Sequence, residues 1–321
     1  MSTPPPVPSG APTTGKAALI AIDWGTTSAR AYRLDGRGNV VGERSAPLGV
    51  QAIRDGAFAA ALDALLGDWR DVRAPWLASG MIGSRQGWID VPYVECPAEL
   101  DGLALGLVRP PESDLRIVPG VICRDAAGVP DVMRGEEAQI AGAIEPGDGR
   151  VLLVLPGTHS KWARIEGGHL VSFTTYMTGE LYAVLLAHSI LGRLADAAGA
   201  GAGDAPGPAF ERGVARGLGP GALAHDLFGA RTLALTGELA PADVADWLSG
   251  LLIGREIRAA RLWAFHAGHD AARVRIVGAD ALVLRYERAL GHADIATERG
   301  SPVAAARGLW RIARRAGLVL R

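Results

Sequence analysis

Leu19–Arg33, LIAIDWGTTSARAYR, is the stretch from which the fold can be read. An apolar run leads into a lone acid, Asp23; a tight Gly25-Thr26-Thr27 turn follows, and the chain leaves it with alternating residues. An apolar run that ends in Asp is the pattern of a buried strand whose last residue faces a ligand. Glycine and threonine in a small turn supply backbone N–H groups and hydroxyls, which suit phosphate oxygens. Turns between strands are common in all β-containing folds, so one copy proves little.

The stretch occurs twice. From Val151 the chain reads VLLVLPGTHSKWARIEGGHLVSFTT, again an apolar run, a Gly-Thr turn and an alternating strand. Gly25 matches Gly157, Thr26 matches Thr158, Ser28 matches Ser160 and Ala31 matches Ala163, at a constant offset of 132 residues. Each copy continues through a second turn, Asp35-Gly36-Arg37-Gly38 or Glu166-Gly167-Gly168, into a third strand at Val40 or Leu170. A duplicated three-stranded unit predicts two similar domains whose Gly-Thr turns pinch a phosphate chain between them.

The duplicated pattern resembles the superfamily of sugar kinases, actin and heat-shock chaperone ATPases. Within it the chain is most similar to the 2-dehydro-3-deoxygalactonokinase family. The residues that carry the likeness are IDWGTTSAR from Ile22, ASGMIGSRQGW from Ala78, RGEEAQIAGA from Arg134, LPGTHSKW from Leu155 and TYMTGELYAVL from Thr175. The resemblance implies an α/β fold of two ribonuclease H-like domains flanking a nucleotide cleft. It implies ATP and Mg2+ as cofactors and a six-carbon keto-deoxy sugar acid as acceptor, phosphorylated at its terminal hydroxyl. Gly25, Thr26, Thr27, Gly157, Thr158, His159 and Lys161 would meet the phosphates. Gly278, where a strand opens a helix in IVGADALVLRYERAL, would lie on the adenosine side.

In related carbohydrate kinases a carboxylate at the start of the helix before the second phosphate strand accepts the proton of the sugar hydroxyl. The matching positions here are Glu136 and Glu137, with Asp131 upstream; acids in a first helical turn also simply complement the helix dipole. A loop after a strand of the first domain contacts the sugar in such kinases. That places Gly80, Ser84 and Arg85 at the acceptor, with Gln86 and Trp88 beside them, and Glu180 contributes from the second domain. Arg85 is the expected grip on the acceptor's carboxylate, since a guanidinium holds a carboxylate through two parallel hydrogen bonds. Asp23, a hard carboxylate beside the phosphate turn, fits magnesium held through coordinated water.

Composition narrows the alternatives. The chain has 321 residues, 49% of them hydrophobic, enough for two medium cores. A net charge of −1 gives no hint of nucleic acid or an anionic membrane. Cys96 and Cys123 lack the number and spacing of a disulfide scaffold or zinc site, and are expected as reduced thiols in a cytoplasmic protein. No apolar run approaches the roughly 18 residues of a membrane span. Only two of the 33 basic residues are lysines, Lys16 and Lys161, and the second lies in the second phosphate turn. There a compact ammonium on a flexible stem suits a phosphate.

The absence of GxxxxGK followed by Ser or Thr excludes a P-loop ATPase, and GLGPGA at Gly217 follows a helical segment rather than a strand. An actin-like or chaperone-like protein would share both turns but needs inserts for which there is little room. A phosphatase of the same fold would use water as acceptor and needs no sugar loop. A homodimer is compatible with all of these.

Residues 1–16, rich in Pro, Thr and Ser, are expected as a disordered leader. The N-terminal domain is placed at 17–146 and the C-terminal domain at 147–321, with the break at Pro146-Gly147-Asp148-Gly149. Helices are expected over 55–69, 131–144 and 178–195, the last with Thr178 as N-cap, and strands over 76–79, 115–121 and 273–277. The stretch 199–208 reads as a loop, and helical stripes cover 242–265 and 302–316.

Overall fold

The computed structural model describes residues 17–193, 205–269 and 272–319; the leader and most of the 199–208 stretch lie outside them. Two compact units emerge. One reaches to Gly147 and takes in Gly168–Val171 and the segment from Val303; the other is Asp148–Gly167 with Ser172–Pro302.

The first unit is built on β1 (Leu19–Trp24), β2 (Ala29–Leu34), β3 (Val40–Ala46), β4 (Trp76–Gly80) and, after β5 (Val94–Glu95), β6 (Leu115–Ile117). The sheet order is β3-β2-β1-β4-β6, with β1–β2–β3 antiparallel and β4 and β6 parallel to β1. Leu19 to Ile22 are fully buried, as a central strand covered on both faces requires. Ile20, Ile22, Trp24, Ala29 and Ala31 pack against Phe58, Leu62, Leu65 and Leu66 of α1 (Phe58–Leu66). Past α2 (Leu100–Leu105), β5, β7 (Val121–Arg124) and β8 (Pro130–Met133) form a small separate sheet leading into α3 (Glu136–Ala143).

The second unit repeats the plan. β9 (Arg150–Leu155), β10 (Ser160–Glu166) and β11 (His169–Tyr176) lead to α4 (Thr178–His188), α5 (Pro208–Leu218), α6 (Leu223–Leu235) and α7 (Val244–His266). β12 (Arg273–Ile276), α8 (Asp280–Gly291) and β13 (Ala296–Arg299) follow. The order β11-β10-β9-β12-β13 matches that of the first sheet, position for position. Leu152, Val154 and Trp162 meet Phe210, Val214, Ile253, Ile257, Val283 and Tyr286. Among the described residues, no helix is long and apolar enough to cross a membrane.

Several expectations change. The 132-residue offset ends at the turn: β1 closes on β2 at Trp24↔Ala29, whereas β9 closes on β10 at Leu155↔Lys161. Pro156 stands where Trp24 does but has no N–H for the ladder, so the second hairpin closes one residue earlier. Lys161 opposite Leu155 thereby takes the place of Arg30 opposite Asp23, and Trp162, rather than Ala163, takes that of Ala31.

The span 131–144 is not one helix: Asp131 lies in β8, paired with Cys123, and α3 begins only after Gly135 at φ 110°. The span 115–121 is likewise divided between β6 and β7. Residues from Val303, expected in the second domain, belong with the first unit. There α9 (Ala304–Arg315) lies so close to α3 that a Cβ on Gly308 would stand 1.7 Å from the Ala138 carbonyl oxygen, and one on Gly142 1.9 Å from that of Ala304. α4 ends at His188, and its N-cap is Met177 rather than Thr178, whose hydroxyl is engaged elsewhere. The edge strand β13, mostly exposed, carries too little apolar alternation to stand out in sequence.

Candidate functional site

In the first unit the parallel register Asp23↔Ser79 and Trp24↔Gly80 sets the ends of β1 and β4 side by side. Gly80 has φ 100°, and Gly135 packs on it so closely that a Cβ there would lie 3.2 Å from the Gly80 Cα. Neither conformation suits an L side chain. This contact delivers the first turn of α3, with Glu136 and Glu137, to the strand end that carries Asp23.

The three acids differ. Burial pushes the Asp23 carboxyl up to about 6, with Arg30 pulling it down and the charge of Glu136 raising it further. Burial, reinforced by Glu136, pushes Glu137 up to about 8. Glu137 is 2% exposed and accepts the Gly135 N–H at 2.6 Å, so near neutrality it holds its proton inside the fold. Glu136 is half-buried and accepts the Arg134 N–H at 3.1 Å. Of the two glutamates, Glu136 is the more accessible.

Next to Asp23, the Gly25 N–H donates to the Ser28 carbonyl at 2.9 Å. The carbonyls of Gly25, Thr26 and Thr27 accept the N–H groups of Val50, Gln51 and Gly49 at 3.1, 3.1 and 3.2 Å. With its carbonyls turned onto that segment, the turn leaves both threonines exposed. No group of three or more His, Cys, Asp or Glu that could hold a metal occurs among the described residues. A lone carboxylate fits magnesium, which keeps several waters and takes other oxygens from phosphates; it does not fit an all-protein cage. Because Asp23 titrates near 6, kcat/KM for ATP is expected to fall as the pH drops below about 6. A flat profile from pH 5 to 8 would remove Asp23 from the site.

Ser84, Arg85 and Gln86 line a depression with Met81, Asp90 and Tyr93. The Ser84 hydroxyl is spent within the loop, donating to the Met81 carbonyl at 2.7 Å. Trp88 turns inward and stacks on Phe58, ring centroids 6.2 Å apart, so it belongs to the core rather than to a pocket. The Arg85 side chain is 92% exposed and pairs with Asp90 at 3.4 Å. A guanidinium that open to water is screened, so its setting does not support the strong grip on a carboxylate expected of Arg85. Arg85→Ala is expected to raise KM for a sugar acid by less than about threefold, measured with ATP saturating. Beneath the same loop lies Arg134, which the sequence did not single out: it is 9% exposed, donates to the Val91 carbonyl at 2.7 Å and lies 4.4 Å from the Tyr93 ring centroid.

In the second unit, Gly157, Thr158 and His159 are at least partly exposed at the end of β9. Lys161 is 5% exposed and donates to Thr175 Oγ1 at 2.8 Å. His159 Nε2 meets the Glu180 carboxylate, and the Glu180 N–H donates to the Thr158 carbonyl at 3.0 Å, so Glu180 braces the turn. Gly278 is exposed beside Pro156; a Cβ on it would lie 3.5 Å from the proline ring, so the opening of α8 adjoins the turn. Sequence reasoning missed Glu256, Tyr286 and the role of Thr178, which bond to one another behind this turn. Spacing alone could not find them, because they come from three separate helices.

Two sheets of identical strand order, each ending its first strand in a Gly-Thr turn, and an acid pair at the first of them define a duplicated ribonuclease H-like α/β protein of the kind that carries sugar kinases. The model of the 2-keto-3-deoxy-galactonokinase family matches residues 23–312, and the chain belongs to that family. It is 35% identical over 275 residues to the 2-dehydro-3-deoxygalactonokinase of Escherichia coli (strain K12), covering 85% of this chain and 89% of that one. A candidate enzyme of the same description from Rhizobium meliloti (strain 1021) is 38% identical over 306 residues, 90% of this chain and 97% of that one. A crystal structure of a candidate 2-dehydro-3-deoxygalactonokinase from Sinorhizobium meliloti superposes with a TM-score of 0.82 at 35% identity, covering 92% of this chain and 98% of that one.

Proposed function

We propose that this chain is an ATP- and Mg2+-dependent kinase that phosphorylates the terminal hydroxyl of 2-dehydro-3-deoxygalactonate. The observation that carries this assignment is the meeting of Asp23, the exposed Thr26-Thr27 turn and Glu136 at the ends of β1 and β4. Family membership supplies the substrate class.

Phosphoryl transfer needs positioning, charge neutralisation and a proton acceptor rather than covalent chemistry by the protein. Glu136 takes the proton of the acceptor's terminal hydroxyl as that oxygen attacks the γ-phosphorus and ADP leaves. Thr26, Thr27, Gly157, Thr158 and Lys161 orient the phosphates, and Gly278 adjoins the adenosine. Asp23 is the residue that would hold magnesium through water; when bound, the ion neutralises phosphate charge.

The direct test is ATP-dependent ADP release across a panel of keto-deoxy sugar acids and neutral hexoses. The keto-deoxy acids are expected to be turned over in preference; equal use of neutral hexoses would remove the assigned substrate. Lys161→Ala and Thr158→Ala are each expected to raise KM for ATP about tenfold or lower turnover, with the far-ultraviolet spectrum unchanged. If both kept full activity, the second turn would not be a phosphate site.

A further inference from the structure

Three separate elements of the second unit converge on one carboxylate carried by a fourth. Glu256, in the middle of α7, is 3% exposed and accepts hydrogen bonds from Trp162 Nε1 of β10 at 2.7 Å, from the Tyr286 hydroxyl of α8 at 2.8 Å and from Thr178 Oγ1 of α4. The Tyr286 hydroxyl also meets Ser160 Oγ at 2.8 Å. A buried acid is costly unless its hydrogen-bonding capacity is met, and apolar residues fill such a space at least as stably. The identity of the donors distinguishes this cluster from ordinary core.

Both ends of the turn Gly157–Ser160 lead to Glu256. Ser160 closes the turn and meets the carboxylate both through Tyr286 and with its own hydroxyl. The other connection runs through the first turn of α4. A Cβ on Gly179 would stand 2.4 Å from the Gly157 carbonyl oxygen; the Glu180 N–H donates to the Thr158 carbonyl at 3.0 Å, and the Glu180 carboxylate meets His159. Thr178, the first residue of that helix, is in turn held by Glu256.

We propose that Glu256 is a positioning residue for the second phosphate turn: through Thr178 on one side and Tyr286–Ser160 on the other, it sets the conformation in which Gly157 and Thr158 meet ATP. This rests on the assignment of that turn as a phosphate site. The network tolerates one exchange and not others. In Glu256→Gln the amide oxygen still accepts from Trp162, while the amide N–H groups donate to the hydroxyls of Thr178 and Tyr286, which accept as readily as they donate. Thr178→Val severs the α4 arm and keeps the side-chain shape; Tyr286→Phe removes the Tyr286 bridge between Ser160 and the carboxylate by deleting one oxygen.

Steady-state kinetics of the full chain, with KM measured separately for ATP and for the sugar acid and Tm recorded for each variant, test the proposal. Thr178→Val and Tyr286→Phe are expected to raise KM for ATP about fivefold to tenfold and to leave KM for the acceptor within about twofold. Thr178→Ser, which restores the hydroxyl, and Glu256→Gln are expected to return KM for ATP to within about twofold of the parent. Should Thr178→Val not fold, Tyr286→Phe carries the same comparison. A lowered Tm with both KM values unchanged, or shifted alike, would overturn the proposal and leave the network a stabilising one only. Thr158→Ala separates the two levels. If it raises KM for ATP while the network variants do not, the positioning role alone fails; if it too leaves KM for ATP unchanged, the phosphate assignment fails and the positioning role with it.

Discussion

Glu136→Gln is expected to lower kcat by roughly 10²- to 10⁴-fold with little change in KM for ATP, the range that removal of a general base produces. The amide keeps the shape and can still accept the Arg134 N–H, so the local fold is retained. Glu137→Gln provides the internal contrast. Because Glu137 is buried and protonated near neutrality, replacing it by a neutral isostere should leave kcat within a few-fold. Full activity in Glu136→Gln together with a collapse in Glu137→Gln would exchange the two roles.

Glu137 makes stability depend on pH in a definite direction. Its folded-state pKa is raised from 4.5 to about 8, so the folded chain holds the proton more tightly than the unfolded one. The favourable contribution of the protonated acid is fully present below about 4.5 and is lost as pH rises to about 8. Unfolding free energy therefore declines across that window, by an amount whose upper bound is on the order of 5 kcal/mol. Glu137→Gln cannot lose a proton and should flatten this decline, giving a variant less sensitive to denaturant than expected at pH 8 and little changed at pH 5. Parallel urea midpoints for parent and variant between pH 5 and 8 would refute a buried protonated Glu137.

Among the candidate residues, legibility followed the type of interaction. Asp23, the two Gly-Thr turns and the acids of RGEE were visible because strand ends, turn glycines and helix starts leave marks in neighbouring residues. Arg85 shows how little such marks fix: a glycine-punctuated loop says that a side chain is near a surface, where it is 92% exposed, and not which molecule it faces. Arg134, one residue before the glycine that turns into α3, was overlooked because nothing local distinguishes a buried arginine from the chain's many exposed ones. The hydroxyl of Thr178 looked like a helix cap by position, yet Glu256, 78 residues further on, captures it.

The duplication, the central strands β1 and β9, the two Gly-Thr turns and the kinase family could all be read from the linear chain, since apolar periodicity and turn chemistry act over a few residues. Three features required the folded chain. Pro156 shortens a ladder, and only the pairing Leu155↔Lys161 reveals that the second hairpin has slipped by one. The raised proton affinity of Glu137 arises from how deeply that side of α3 is buried, which depends on the closeness of Gly135 to Gly80 and of α9 to α3. The convergence of Trp162, Thr178 and Tyr286 on Glu256 joins residues from four elements. Burial and long-range hydrogen bonding depend on what the rest of the chain places nearby, and no window of neighbouring residues contains that information.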